Sequence, residues 1–282
     1  MIQNLEHVSG LPVALDDATL AIVASGRAQP IIPPPQMRFG EELRPFLLDS
    51  RAPVPRTHAY AMYRGVYRSE TEHNRFRSAG VRYDITVIAP GRLDTEYAKT
   101  VGHRHPLKPG TDQTYPEVYE VLAGSACFLF QNAEGGPGTQ VLLICAGPRA
   151  TVVVPSGVGH ITVNTGPQPL AIANVFADSV TSSHDFFKPT RGAAYYVLAA
   201  DAAPVQPGDV AKDNLIIRKN PLCQPPASLS FGIPKETPLL GTSDGRPLYT
   251  RFLENPDRFA FLTSPEQYTR ELASENLFSI QQ

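Results

Sequence analysis

The 282-residue sequence has no excess of either charge: 25 Lys and Arg stand against 27 Asp and Glu, a formal net charge of -2. Its basic residues form no run, so neither nucleic acid nor a charged membrane surface is expected as a partner. It lacks any apolar stretch near the roughly 18 residues needed to span a bilayer. Its opening, MIQNLEHVSG, has neither a basic nor an apolar signal region. A soluble, cytoplasmic protein acting on a small molecule is the expectation. Cysteine is scarce. Cys127, Cys145 and Cys223 are odd in number and follow no zinc spacing. Cys127 and Cys145 fall in apolar, strand-like runs, where a thiol is expected to pack as a small hydrophobe. A reducing compartment is therefore favoured over a disulfide-stapled secreted scaffold.

Proline, by contrast, is abundant, with 28 residues clustered at Pro30 to Pro35, Pro53 to Pro55 and Pro204 through Pro238. Such segments read as extended connectors. They divide the chain into an N-terminal arm (residues 1–59), a body (60–198) and a C-terminal extension (199–282). The body has the strand-and-turn rhythm of an all-β domain. Runs rich in β-formers cover 82–88, 118–122, 126–130, 141–144, 151–154, 170–176 and 194–198, most of them separated by Gly or Pro. Many short strands of this kind predict a sandwich or barrel, such as a jelly roll. Helical signals lie mainly outside the body. Ser264-Pro265-Glu266-Gln267 has the form of a helix start, a short helix is expected near Glu41 to Leu48, and Asn220 to Asp257 reads as loop.

The chemistry is concentrated in three stretches: Gly102-His103-Arg104-His105, Glu117-Val118-Tyr119 and Pro155-Ser156-Gly157-Val158-Gly159-His160. Side chains at i and i+2 of a strand share a face, so His103 and His105 project together. The same alternation puts Tyr119 with Glu117 and sends Glu120 to the opposite face. His160 lies just beyond a Gly/Pro turn, with Thr162 and Asn164 on its own strand face. Three imidazoles and a carboxylate suit one divalent first-row metal (Fe, Mn, Ni, Zn or Co) and leave coordination positions open. That favours an enzyme over a structural metal site.

These stretches resemble the two signature motifs of the cupin superfamily, H-x-H…E-x6-G and P-x-G-x2-H-x3-N. The wider context, with Asp84-Ile85-Thr86-Val87-Ile88 upstream and the T-x-G-H-x-H pattern of Thr100 to His105, is similar to the cupin-type glucose-6-phosphate isomerases. The resemblance runs from about Tyr60 to Phe187. It implies a cupin jelly-roll barrel, flanked here by the arm and a partly helical extension. It also implies a metal held by His103, His105, Glu117 and His160, and a phosphate held near Tyr67, Thr86, Thr100 and Gly102. Hydroxyls and a glycine N–H can grip a phosphate as neutral donors. Glu117 becomes the general base, Tyr119 a substrate-facing partner and His184 a substrate contact. A sugar phosphate substrate and a homodimer complete the implication. Other readings share the same ligand set: a metal-dependent cupin oxygenase and a non-catalytic sugar-binding cupin. The chain departs from the family in three places. Eleven residues separate His105 from Glu117, Phe176 stands where the family tends to show tyrosine, and the H-D-Y triplet appears as His184-Asp185-Phe186.

Overall fold

β-Branched and aromatic runs of the body pair, with strands from the arm and the extension at the edges, into two six-stranded sheets that share a core. The computed structural model describes residues 1–51, 53–54, 57–237, 239–240 and 245–281. Of the prolines singled out above, Pro55 and Pro238 lie outside the described residues. The first sheet runs, in spatial order, Thr151–Val154, Glu117–Ala123, Leu170–Ala177, Val81–Ile88, His58–Tyr63 and Gln36–Phe39, all antiparallel. The second runs Phe278–Gln281, Ser228–Pro234, Gln140–Ala146, Ala126–Gln131, Gly159–Asn164 and His103–Arg104. The expected all-β, jelly-roll cupin architecture is the one found. Gly124, the glycine of E-x6-G, makes the turn between Glu117–Ala123 and Ala126–Gln131. Its φ of 84° favours glycine, and a Cβ there would lie 2.7 Å from the Pro169 carbonyl oxygen.

The flanking segments are more structured than their composition indicates. Residues of the arm form a three-stranded sheet of Ile2–Asn4, Val13–Asp16 and Ala21–Ala24, and Gln36–Phe39 joins the edge of the first large sheet. The stretch read as loop, 220–257, contains the strand Ser228–Pro234 and the helix Leu248–Glu254 among its described residues. That strand pairs in parallel with Gln140–Ala146, so the extension completes a sheet of the body. A further five-stranded sheet joins Arg92–Leu93 and Glu96–Tyr97 to Tyr195–Ala199, Leu215–Lys219 and Val210–Lys212. The helix start at Ser264 yields only a 3-10 turn, Pro265–Gln267, with no side-chain cap from Ser264. Conversely, the body holds the nine-residue helix Glu70–Ser78. Ser69 caps it by accepting the Glu72 N–H at 3.3 Å, and Ser69-Glu70-Thr71-Glu72 is the S-x-x-E pattern of a helix start. The short helix near Glu41 is found as Gly40–Leu43, continued by a 3-10 turn at Arg44–Phe46.

The cysteine expectation is corrected. Cys127 and Cys145 are directly opposed across the antiparallel pair of Ala126–Gln131 and Gln140–Ala146, and they form a disulfide. Cys145 faces solvent, and Cys223 is the free, buried thiol. No helix among the described residues is long and apolar enough to cross a membrane.

Candidate active site

The two sheets meet at a cavity of about 450 Å³. Strand register explains its lining. On the first sheet Glu117 stands beside Phe176 and Phe176 beside Arg82; Tyr119 stands beside Asn174 and Asn174 beside Asp84; Ile172 stands beside Thr86 and Thr86 beside Met62. Alternate residues of four neighbouring strands therefore share the inward face. The other wall comes from the second sheet and the segment leading into it: Thr100, Gly102, His103 and Thr162, with His184 alongside.

Gly102 is the pivot of that wall. Its φ is 82°, and a Cβ would meet Ile161 Cγ1 at 2.3 Å and the His160 carbonyl oxygen at 3.0 Å. Only a residue without a side chain lets the chain lie this close to Gly159–Asn164, where His103 pairs with His160. Three imidazoles thus come from one side of the cavity and Glu117 from the other. Their ligand atoms all fall within 4.8 Å of one another. Glu117 Oε2 lies 3.1 Å from His160 Nε2, 3.5 Å from His105 Nε2 and 3.9 Å from His103 Nε2.

The donor set fits a divalent cation. Glu117 Oε2 is buried and has no hydrogen-bond partner. His105 Nδ1 lies 2.8 Å from the Tyr115 carbonyl oxygen. A carbonyl only accepts, so the proton sits on Nδ1 and the Nε2 lone pair turns to the cluster. His105 Nε2 and His103 Nε2 are 3.2 Å apart. Lone pairs and a carboxylate oxygen crowd one point, which a cation relieves. Burial, then the neighbouring His160 and His105, hold His103 well below the usual imidazole range, so its ring is neutral as a ligand must be. Burial alone would raise Glu117, but His160 and His105 outweigh it and keep the carboxyl below its ordinary value. Tyr119 is pushed far up by burial and by Glu117 and stays a phenol. Its hydroxyl is 3.3 Å from His160 Nε2.

The structure brings most of the anticipated site residues together. His103, Glu117, Tyr119, Thr86, Thr100, Gly102 and His184 line the cavity, and His105 and His160 complete the metal cluster. Thr100 Oγ1 accepts the Thr162 N–H at 3.1 Å, which leaves its own O–H to donate inward. His184 Nδ1 donates to the Gly102 carbonyl at 2.6 Å. Tyr67 is the exception. Its ring stacks on His73 at 4.4 Å and lies 5.4 Å from Phe76, on the helix Glu70–Ser78. It is packed there rather than lining the cavity. Tyr60 lines the cavity instead, together with Arg38, Arg64 and Arg82, none of which the motifs marked. Phe176, where the family tends to show tyrosine, stacks on His105 at 5.6 Å and carries the Arg82 guanidinium 4.3 Å above its ring. The loop after His105 provides the Tyr115 carbonyl. It is tied down by Ser156 Oγ donating to the Thr114 carbonyl at 2.5 Å and by Lys108 on Glu266 at 2.8 Å.

Residues 46–209, more than half of the chain, match the family model described as glucose-6-phosphate isomerase (GPI). The glucose-6-phosphate isomerase of Pyrococcus abyssi is 30% identical over 121 residues, 43% of this chain and 57% of that protein. That of Thermococcus kodakarensis is 31% identical over the same span. The chain thus spans little more than half the length of these curated relatives. Among solved structures, oxalate decarboxylase from Bacillus subtilis aligns with a TM-score of 0.31 at 17% identity, over 44% of this chain and 28% of that one.

Proposed function

This chain belongs to the cupin-type glucose-6-phosphate isomerase family, and we propose that it interconverts glucose 6-phosphate and fructose 6-phosphate in a metal-dependent reaction. The observation that carries the reading is the convergence of His103, His105, Glu117 and His160 at a cavity whose lining also includes several hydroxyls and three guanidinium groups. Those linings suit a polyhydroxylated anion. His103, His105, Glu117 and His160 would hold a divalent ion, which when bound would supply Lewis acidity, a contribution of several kcal/mol.

The remaining chemistry belongs to the chain. Isomerisation moves a proton between C2 and C1 of the open-chain sugar. Glu117 is the only carboxylate among the described residues lining the cavity. Held in its ionised form, it takes that proton from one carbon and returns it to the other. Tyr119, kept as a phenol beside it, donates a hydrogen bond to a sugar oxygen. Thr86 and Thr100 offer O–H donors to the phosphoryl end.

A coupled assay of isomerisation by the purified protein tests this. Activity is expected to vanish on chelation and to return with a divalent first-row ion. Turnover indifferent to chelation, or none after reloading, sinks the reading.

A further inference from the structure

Three guanidinium groups reach the cavity, and their partners differ. Arg38 has its own carboxylate, with Nη1 2.8 Å from Glu42 Oε1. Arg82 is committed on several sides: Nε bonds Asp84 at 3.1 Å, Nη1 bonds the carbonyl and carboxylate of Asp178 at 3.3 and 3.2 Å, and its plane covers Phe176. Arg64 is different. Its Nη1 lies 2.8 Å from Asp84 Oδ2, the oxygen already taken by Arg82. Its Nη2 faces only the Met62 thioether at 3.0 Å, a weak acceptor. One carboxylate therefore serves two cations, and Arg64 keeps N–H donors that no carboxylate or carbonyl matches.

Its placement is fixed. Asp84 is fully buried, and its other oxygen accepts the Gly65 N–H at 2.8 Å, so carboxylate and backbone anchor both ends of the Arg64 stem. Met62 stands directly beside Thr86 in the sheet, and Arg64, Met62 and Thr86 all line the same cavity. The neighbouring position that the family resemblance assigns to Tyr67 is not filled by Tyr67, whose ring lies against the helix.

We propose that Arg64, held by Asp84 beside Thr86, binds the phosphoryl group of the substrate and sets specificity for phosphorylated sugars. This rests on the sugar-phosphate reading above. A guanidinium presents paired donors that match a phosphate oxygen pair, and one already anchored loses little freedom when the anion arrives.

The test is calorimetric titration of the metal-loaded protein with inorganic phosphate, repeated after chelation, for wild type, Arg64→Gln and Arg64→Lys. Arg64→Gln is expected to weaken phosphate binding by about tenfold or more. Arg64→Lys falls between the two, since it keeps the charge and loses the fork. The same factor appears as a rise in KM for glucose 6-phosphate. Melting temperature should hold, because Arg64 is partly exposed and Asp84 retains Arg82 and the Gly65 N–H. Equal phosphate binding by wild type and Arg64→Gln overturns the proposal. So does binding that disappears on chelation and ignores Arg64, which would place the phosphate on the metal. The titration needs no turnover: Arg64-dependent phosphate binding without isomerase activity removes the reaction and leaves the subsite standing.

Discussion

The strand Glu117–Ala123 is buried on both faces, and it carries a carboxylate on each. Toward the cavity, Glu117 sits among three imidazoles and is held in its charged form. On the outer face, Glu120 lies under the helix Leu248–Glu254, where both its oxygens accept the Leu248 N–H at 3.0 Å. That face is aromatic: Phe76 packs on Phe252 at 3.9 Å, and Tyr83 on Tyr249 at 5.0 Å. Burial there raises Glu120 to about 8, despite the Leu248 N–H and Arg251. Two glutamates three residues apart are thus driven in opposite directions by what the sheet packs against. One face is built for charge, the other for closure. The proposed chemistry is assigned to the first face, and the second anchors the helix Leu248–Glu254 of the C-terminal extension.

The largest expected effect comes from breaking the charged face. Glu117→Gln removes the proposed ligand and base, and should lower kcat by about 10²–10⁴-fold, with metal content falling in parallel. Glu120→Gln should leave kcat where it was. A comparable loss of rate in both variants would dissolve the distinction between the faces. Stability separates them in the other direction. The folded value of Glu120 lies above the ordinary 4.5, so the folded state binds its proton more tightly than the unfolded chain does. The group is neutral and harmless below about pH 4.5. Stability is then withdrawn as pH rises toward 8, with a limiting slope of about 1.4 kcal/mol per pH unit. Glu120→Gln cannot ionise, so chemical denaturation across this window should show a flatter profile for the variant. Parallel profiles would mean that Glu120 is not buried as a neutral acid.

The two faces were also unequally legible in the sequence. The metal quartet lies in two short local motifs, and period-two alternation alone puts His103 with His105 and Glu117 with Tyr119. Nothing local announces Arg64 or Arg82, because their place in the cavity depends on how Val81–Ile88 registers against Leu170–Ala177 and His58–Tyr63. The Cys127–Cys145 pairing is likewise a matter of register. Tyr67 shows the converse: its position follows from packing on the helix Glu70–Ser78, which its tyrosine-rich surroundings do not reveal. On the outer face, Tyr249 and Phe252 sit in a proline-rich extension whose composition reads as loop. Their helix is stabilised by burial against Phe76 and Tyr83 more than by its own seven residues.

The smallest of these effects tests whether the cavity face depends on backbone as well as on charge. Gly102 brings its segment against Ile161 and the His160 carbonyl at distances that exclude a Cβ, in a conformation that favours glycine. Gly102→Ala must push the segment away from Gly159–Asn164, and His103 moves with it. A stability loss of about 1–3 kcal/mol is expected from the strain and the displaced contacts, measured by denaturant unfolding of the metal-free protein. The informative quantity is the metal affinity of the fraction that remains folded. If His103 is placed by this close approach, that affinity falls although every ligand is present. If affinity is unchanged while stability drops, the pairing of His103 with His160 does not depend on Gly102, and the ligand geometry is set by the two sheets alone.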